Sequence, residues 1–385
     1  MTHGTWSAKL GLALMAVVVA ALSTSATGGA PSSGEPVEPP AVNVYAHTTA
    51  RDLGWATIWA LPRVYVPDSM SRSVSVIDPV SLKVVDQFEV GIEPQHVVPS
   101  WNLRTLWVTN DSSGMRRGSL TPIDPGTGKP GRAISVADPY NMYFMPDGSA
   151  AIVVVEGYKR LDLRDPKTMV LKSSIRTPSC EGINHADFAA DNSYAIFTCE
   201  FGGGLVKIDL KSRKVLGTLK LSGMAMPQDI RLSPDGKVFY VADMMKDGVD
   251  LIDGVSFSEV GFIPTGIGTH GFVVSRDGTK LYVTNRGTHD MAGKPKGPGS
   301  ISVIDFATRS VVAQWPIPGG GSPDMGNVSA DGKQLWVSGR YDNEVYMIDT
   351  TTGAVTKIPV GSGPHGLTVW PQPGRYSQGH TGNMR

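Results

Sequence analysis

Several features that mark common functional classes are missing from this chain. Lys plus Arg and Asp plus Glu number 35 each, and no basic run provides the clustered positive charge that binds nucleic acid. The sequence has no Cys-x-x-Cys-His motif for covalent haem, no nucleophile elbow and no phosphate-binding glycine loop with its lysine. These absences disfavour a nucleic-acid partner and a covalent-haem protein, and they give catalysis little support.

A hydrophobic run long enough to cross a membrane is also missing. Lys9 precedes an apolar stretch at 10–22, and small residues follow to position 30, which is the pattern of a secretory signal peptide over 1–30. The apolar stretch is shorter than the roughly 20 residues that a spanning helix needs. No twin-Arg pair precedes it and no cysteine lies near the expected cleavage site. We therefore expect an extracytoplasmic protein, secreted or periplasmic, with no membrane span after signal removal.

What the sequence does contain is a repeat with a period of about 44 residues, the length of a four-stranded propeller blade. Each repeat has a strand ending like Tyr-Val-Thr-Asn, then a strand ending in Ile-Asp or a variant of it, then a loop rich in glycine and proline. The Tyr-Val-Thr-Asn-like ends lie near 65–68, 107–110, 153–155, 197–199, 240–243, 282–285 and 336–339. The Ile-Asp-like strands end at Asp78, Asp124, Asp165, Asp209, Asp253, Asp305 and Asp349. The repeat predicts an all-β, seven-bladed β-propeller of four-stranded blades.

The two ends of the repeat complement each other. The segment 365–370 resembles an innermost strand without partners, and 64–90 supplies three strands without an innermost one. The ring is therefore expected to close by pairing the C-terminal strand with three N-terminal strands, which removes exposed sheet edges. This predicts a disordered tether at 31–41, an extra segment at 42–62, the propeller at 63–371 and a tail at 372–385.

The repeat resembles that of the YVTN family of exported seven-bladed propellers over about four-fifths of the chain. Related propellers include the heavy chains of amine dehydrogenases and the haem-binding propeller of certain nitrite reductases. The resemblance implies the fold, and it makes a subunit of an amine-oxidising or electron-transfer complex one functional alternative.

Cysteine is scarce, since only Cys180 and Cys199 are present. An even pair in an exported protein favours a disulfide, and the repeat places both residues on the same face of one blade. A reactive or metal-binding dithiol is the alternative.

Polar residues recur where each innermost strand begins, at the mouth of the expected axial channel. Aligned turns define a first ring of positions, Gln95, Tyr140, Asn184, Gln228, His270, Asp324 and His365. One residue later, a second ring contains His96, Asn141, His185, Asp229, Gly271, Met325 and Gly366. Four residues in consecutive blades are candidate ligands for zinc or copper, namely His96, His270, Asp324 and His365. The alternative is that these side chains bind loop backbones and trapped water.

The same face carries further polar residues that suit a small polar ligand or a protein partner. The candidates are His185, Asp229, Glu200, Arg286 and Arg340. The sequence alone favours a non-catalytic propeller that binds a ligand or partner at this mouth. A metal-binding or metal-delivery protein is the first alternative, and an enzyme or enzyme subunit is the second.

Overall fold

The computed structural model describes Met1, residues 42–113 and residues 117–385. Apart from Met1, the predicted signal peptide and tether lie outside the described residues. Residues 42–385 contain seven antiparallel sheets, each with four strands in line, and blade one has one additional short strand. The predicted all-β seven-bladed propeller is therefore confirmed.

The strands follow the blade order expected from the repeat, and the first three belong to blade seven. These are β1 (Arg63–Asp68), β2 (Ser73–Asp78) and β3 (Lys83–Glu89). Blade one has β4 (Pro94–Pro99), β5 (Leu106–Asn110), β6 (Ser119–Asp124), β7 (Lys129–Pro130) and β8 (Ile134–Ser135). Blade two has β9 (Pro139–Phe144), β10 (Ala151–Val155), β11 (Arg160–Arg164) and β12 (Leu171–Arg176). Blade three has β13 (Ile183–Phe188), β14 (Tyr194–Cys199), β15 (Gly204–Asp209) and β16 (Lys214–Lys220).

The remaining blades repeat this arrangement without interruption. Blade four has β17 (Pro227–Leu232), β18 (Val238–Asp243), β19 (Gly248–Asp253) and β20 (Ser258–Pro264). Blade five has β21 (Thr269–Val274), β22 (Lys280–Asn285), β23 (Ser300–Asp305) and β24 (Ser310–Pro316). Blade six has β25 (Pro323–Val328), β26 (Gln334–Gly339), β27 (Glu344–Asp349) and β28 (Val355–Pro359), and β29 (Thr368–Trp370) completes blade seven.

Ring closure occurs as the sequence predicts. Strand β29 pairs antiparallel with β1, with Val369 opposite Val64, and the sheet order is β29-β1-β2-β3. The two ends of the repeat thus share one sheet, and each inner strand among the described residues is paired with a neighbour.

The threonine of the Tyr-Val-Thr-Asn repeat has a structural use. The Thr109 hydroxyl accepts a hydrogen bond from the His96 backbone N–H at 3.1 Å and donates one to the Tyr140 carbonyl of the next blade at 3.0 Å. Thr284 does the same for Gly271 and Asp324 in blades five and six. Each hydroxyl therefore holds the beginning of one inner strand against the next, at the position where the ring residues lie.

The aspartate of the Ile-Asp repeat stabilises the following turn. The Asp253 carboxylate accepts backbone hydrogen bonds from Val255 at 3.0 Å and Ser256 at 2.7 Å. Phe257, two residues after Val255, has a φ of 52°, in the left-handed region. This is the local hydrogen bonding that favours aspartate at turns, and it explains why the residue recurs at the end of the third strand.

The disulfide and the extra segment have defined places. Cys180 and Cys199 are disulfide-bonded in blade three, with their Cα atoms 4.9 Å apart. In the extra segment, the Tyr45 hydroxyl donates to the Leu232 carbonyl at 2.7 Å, and a short 3-10 helix runs over Trp55–Thr57. No helix among the described residues is both long and apolar enough to cross a bilayer.

Candidate metal centre

The inner strands begin with a local irregularity that shapes the channel. The pairing register shifts between Ile183 and Ala186 in blade three, and equivalent shifts follow Thr269 in blade five and Pro323 in blade six. A bulge adds one residue to a strand and re-aims the side chains around it. Side chains from two successive positions, the first and second rings, can therefore both lie in the channel rather than alternating between the faces of the sheet.

The channel side chains form two groups that follow the two rings. The histidine triad, defined as His96, His185 and His380, combines two second-ring residues with one from the C-terminal tail. The mixed triad, defined as His270, Asp324 and His365, consists only of first-ring residues. In each triad one candidate ligand atom from every residue lies within 4.8 Å of the other two, and all six residues are buried.

The histidine triad contains ring nitrogens that lack partners among the described residues. His96 has no exposed surface, and neither of its nitrogens has a hydrogen-bond partner. The same is true of His185 Nε2. The His96 ring packs against Gly366 so closely that a Cβ at residue 366 would lie 2.0 Å from Nδ1. The His96 ring therefore occupies space that only glycine at residue 366 provides.

A single amide contacts the other two rings of the triad. The Asn141 amide nitrogen lies 3.2 Å from His185 Nδ1 and 3.0 Å from His380 Nδ1. The remaining nitrogen of His380, Nε2, lies 3.5 Å from an Asp229 carboxylate oxygen. Asn141 and Asp229 are both second-ring residues, so this part of the ring orients the histidines.

Burial keeps the five channel histidines neutral. Loss of solvent lowers the pKa of His96, His185 and His365 well below the ordinary value. It also lowers the pKa of His380, and it lowers the pKa of His270 to about 4. Neutral imidazole is the form that binds a metal ion, so proton competition is weak at neutral pH.

The mixed triad is built around Asp324. Arg286 donates to Asp324 Oδ1 from Nε at 3.2 Å and from a terminal nitrogen at 2.9 Å. His270 Nδ1 lies 2.7 Å from the same oxygen, and His365 Nε2 lies 3.5 Å from Oδ2. Burial alone would raise the pKa of Asp324, but Arg286 and the two histidines hold it well below its usual range. Asp324 is therefore an ionised carboxylate.

Because the pKa of His270 is lowered, the difference in folding stability between wild type and a His270→Asn variant should depend on pH. Between pH 6.5 and 4 the unfolded chain binds a proton at His270 and the folded chain does not, so His270 lowers folding stability as pH falls. We compare the free energy of unfolding of metal-free wild type with that of metal-free His270→Asn. On going from pH 7 to pH 5, the wild-type value is expected to fall by about 2 kcal/mol relative to the variant. Urea unfolding with a chelator measures this. A difference that is constant across this range would contradict it.

The C-terminal tail supplies the sixth residue of the two triads. The His380 backbone N–H donates to the Met142 carbonyl at 2.8 Å, so the tail lies against the inner strand of blade two. Arg385 donates to buried Asp187 at 2.7 Å, and its guanidinium lies 4.9 Å from the centre of the Tyr45 ring. His380 was not predicted as a ligand from the sequence, because the tail lies outside the repeat and has no equivalent position in another blade.

The structure divides the four predicted metal ligands between the triads. His270, Asp324 and His365 come together, whereas His96 groups with His185 and His380. The His96 and His365 rings are still neighbours, with centroids 4.7 Å apart. The predicted set mixed one second-ring residue with three first-ring residues, and the ring position decides which triad a residue joins.

The predicted ligand-binding residues are largely engaged with other protein groups. Glu200 accepts hydrogen bonds from Asn184 at 2.7 Å and Gln228 at 3.0 Å, and burial raises its pKa. Arg340 donates to the Ser69 hydroxyl at 3.2 Å. Asp229 forms an ion pair with Arg231 in addition to facing His380.

The seven-bladed fold agrees with the comparison to known protein families. Residues 38–373 match the family described as YNCE-like beta-propeller. The chain belongs to the YNCE-like β-propeller family. The match covers most of the chain and confirms the propeller family relationship that the repeat predicts. No curated protein matches this YNCE-like propeller.

Solved structures similar to this YNCE-like propeller show the same fold. Dihydro-haem d1 dehydrogenase NirN, in complex with DHE, has a TM-score of 0.58 and 15% identity, covering 80% of this chain and 75% of that one. Hydrazine synthase of Kuenenia stuttgartiensis has a TM-score of 0.56 and 20% identity, covering 70% and 87%. A protein of unknown function from Desulfotomaculum acetoxidans has a TM-score of 0.63 and 15% identity, covering 80% and 98%. At these identities the likeness concerns the fold alone.

Proposed function

We propose that this protein is an extracytoplasmic metal-binding propeller that holds a zinc or copper(II) ion at the histidine triad. The observation that carries the proposal is His96, which is fully buried with no hydrogen-bond partner for either nitrogen among the described residues. The location outside the cytoplasm rests on the signal-peptide pattern.

The buried nitrogens without hydrogen-bond partners carry an energetic cost that a bound ion would relieve. A buried polar atom without a hydrogen bond costs about 1–3 kcal/mol, and three such atoms belong to His96 and His185. An ion bound between the rings would use one lone pair of each histidine. Three neutral histidines are an established ligand set for zinc, and imidazole also suits copper.

Asn141 and Asp229 contact the rings of His185 and His380 and influence which ring nitrogens carry protons. For Nε2 of His185 and His380 to carry a lone pair, each Nδ1 must carry the proton. The Asn141 amide nitrogen faces both Nδ1 atoms while its oxygen accepts from the Met142 backbone N–H at 2.8 Å, so this amide must turn when an ion binds through the two Nε2 atoms. Asp229 lies 3.5 Å from His380 Nε2, and its charge is offset by its ion pair with Arg231.

The pairing of the mouth residues favours metal binding over the ligand- or partner-binding hypothesis from sequence. Glu200 is satisfied by two amides, and Arg286 is paired with Asp324. Both nitrogens of His96 and Nε2 of His185 have no such partners in the part of the chain that the structure describes. A partner or small polar ligand at the mouth stays a prediction from sequence.

Titration of chelator-treated protein with Zn²⁺ or Cu²⁺ tests the proposal. We expect at least one ion per chain by elemental analysis after desalting. We also expect thermal stabilisation that corresponds to about 2.7 kcal/mol when free metal is 100 times the dissociation constant. The His47→Ala variant is the control and should bind metal like wild type, because His47 is exposed and lies in the extra segment. Protein that remains metal-free and gains no stability in either titration would refute the proposal.

A further inference from the structure

We propose that the mixed triad binds a second divalent transition-metal ion, so that the channel holds a dinuclear centre. The inference rests on the proposed function of the histidine triad. It is carried by a different set of contacts, those among His270, Asp324, His365 and Gln95.

Two hydrogen-bond acceptor atoms face each other in the mixed triad. His365 Nδ1 lies 3.0 Å from the Gln95 carbonyl oxygen, an acceptor, so Nδ1 carries the proton of the neutral ring. His365 Nε2 therefore presents a lone pair. Asp324 Oδ2 lies 3.5 Å from it, is buried, and has no hydrogen-bond partner within the described ranges. Two facing acceptors repel each other unless a cation or a donor lies between them.

His270 provides the third candidate ligand atom of the mixed triad. Its Nδ1 lies 2.7 Å from Asp324 Oδ1, yet it does not make an aligned hydrogen bond to any described residue. Together, His270 Nδ1, Asp324 and His365 Nε2 offer two imidazoles and one carboxylate. This combination is found in three-ligand zinc sites that keep an open position.

Two ions are needed because the triads are separate in space. Ligand atoms bound to one zinc ion at about 2.0–2.2 Å lie at most about 4.4 Å from one another. Each triad has its ligand atoms within 4.8 Å, so a small adjustment closes it around one ion, but the six residues form two sets and not one. The His96 and His365 rings, 4.7 Å apart, place the two sets side by side.

Charge determines the order in which the ions bind. Two of the Arg286 hydrogen bonds go to Asp324 Oδ1, so the positive guanidinium offsets the carboxylate that would attract the second ion. The histidine triad has no arginine hydrogen-bonded to its rings among the described residues, and the Asp229 beside it is itself paired with Arg231. The histidine triad is therefore expected to fill first and the mixed triad second, with weaker affinity.

Metal stoichiometry with matched variants tests the inference on full-length protein. Wild type is expected to bind two Zn²⁺ or two Cu²⁺ ions in two phases, and the exposed-site control His47→Asn is expected to do the same. His365→Asn is expected to lose the weaker phase, and His185→Asn the tighter one. If wild type binds one ion that His185→Asn loses and His365→Asn keeps, the second site is wrong and the proposed function stands. If wild type binds none, both are wrong.

A spectroscopic readout on wild type does not depend on the folding of a variant. With two Cu²⁺ ions bound, the adjacent sites are expected to interact through space, so the paramagnetic resonance spectrum should be broadened relative to that of protein loaded with one Cu²⁺ ion. A spectrum of two isolated ions, without this broadening, would overturn the dinuclear centre.

Discussion

Replacement of His96 by leucine is expected to lower metal affinity more than about 100-fold without destabilising the metal-free protein. Loss of an outer-shell partner alone costs about 10–100-fold in metal affinity, and loss of a direct ligand costs more. The metal-free variant should be at least as stable as wild type because the change removes two buried nitrogens that lack hydrogen bonds. Competition titration and urea unfolding with a chelator measure the two effects.

The opposite pattern would indicate a structural histidine. If His96→Leu unfolds at clearly lower urea and binds metal like wild type, His96 stabilises the channel by packing and is not a ligand. His47→Leu is the matched control, and it should change neither property because His47 is exposed.

Two substitutions in the C-terminal tail are expected to separate stability from metal binding. Arg385→Leu removes the partner of fully buried Asp187 and should cost about 3–5 kcal/mol of folding stability. His380→Asn should cost less than about 1 kcal/mol in the metal-free protein, where its contacts are polar and replaceable, but should lower metal affinity more than about 100-fold.

Measuring folding stability and metal affinity in both variants shows whether the tail supplies a metal ligand or only packs against the channel. The expected result is that Arg385→Leu binds metal within a few-fold of wild type at temperatures where it is folded, whereas His380→Asn does not. Equal loss of affinity in both variants would mean that the tail acts only by keeping the channel packed, and His380 would no longer count as a ligand.

The fold was predictable because the repeat carries its own physical explanation. The Thr109 hydroxyl joins adjacent inner strands, and Asp253 stabilises the turn after its strand, so both residues recur in the blades that need them. Ring closure followed from two incomplete ends of the repeat, which β1 and β29 confirm.

The channel positions were predictable in part. Alignment of the turns identified both rings, including His185 and His270, because equivalent blade positions meet around one axis. The grouping was not predictable, since it depends on the register shifts that let successive residues such as Gln95 and His96 differ in their neighbours. His380 could not be placed, because only the folded tail brings it beside Met142.

The most direct test of the central claim is anomalous X-ray diffraction from crystals of the protein grown with Zn²⁺. The account predicts an anomalous peak with nitrogens of His96, His185 and His380 at about 2.0–2.1 Å. Density without an anomalous signal, at hydrogen-bonding distances of about 2.7–3.2 Å from these nitrogens, would show water in the channel and contradict the account.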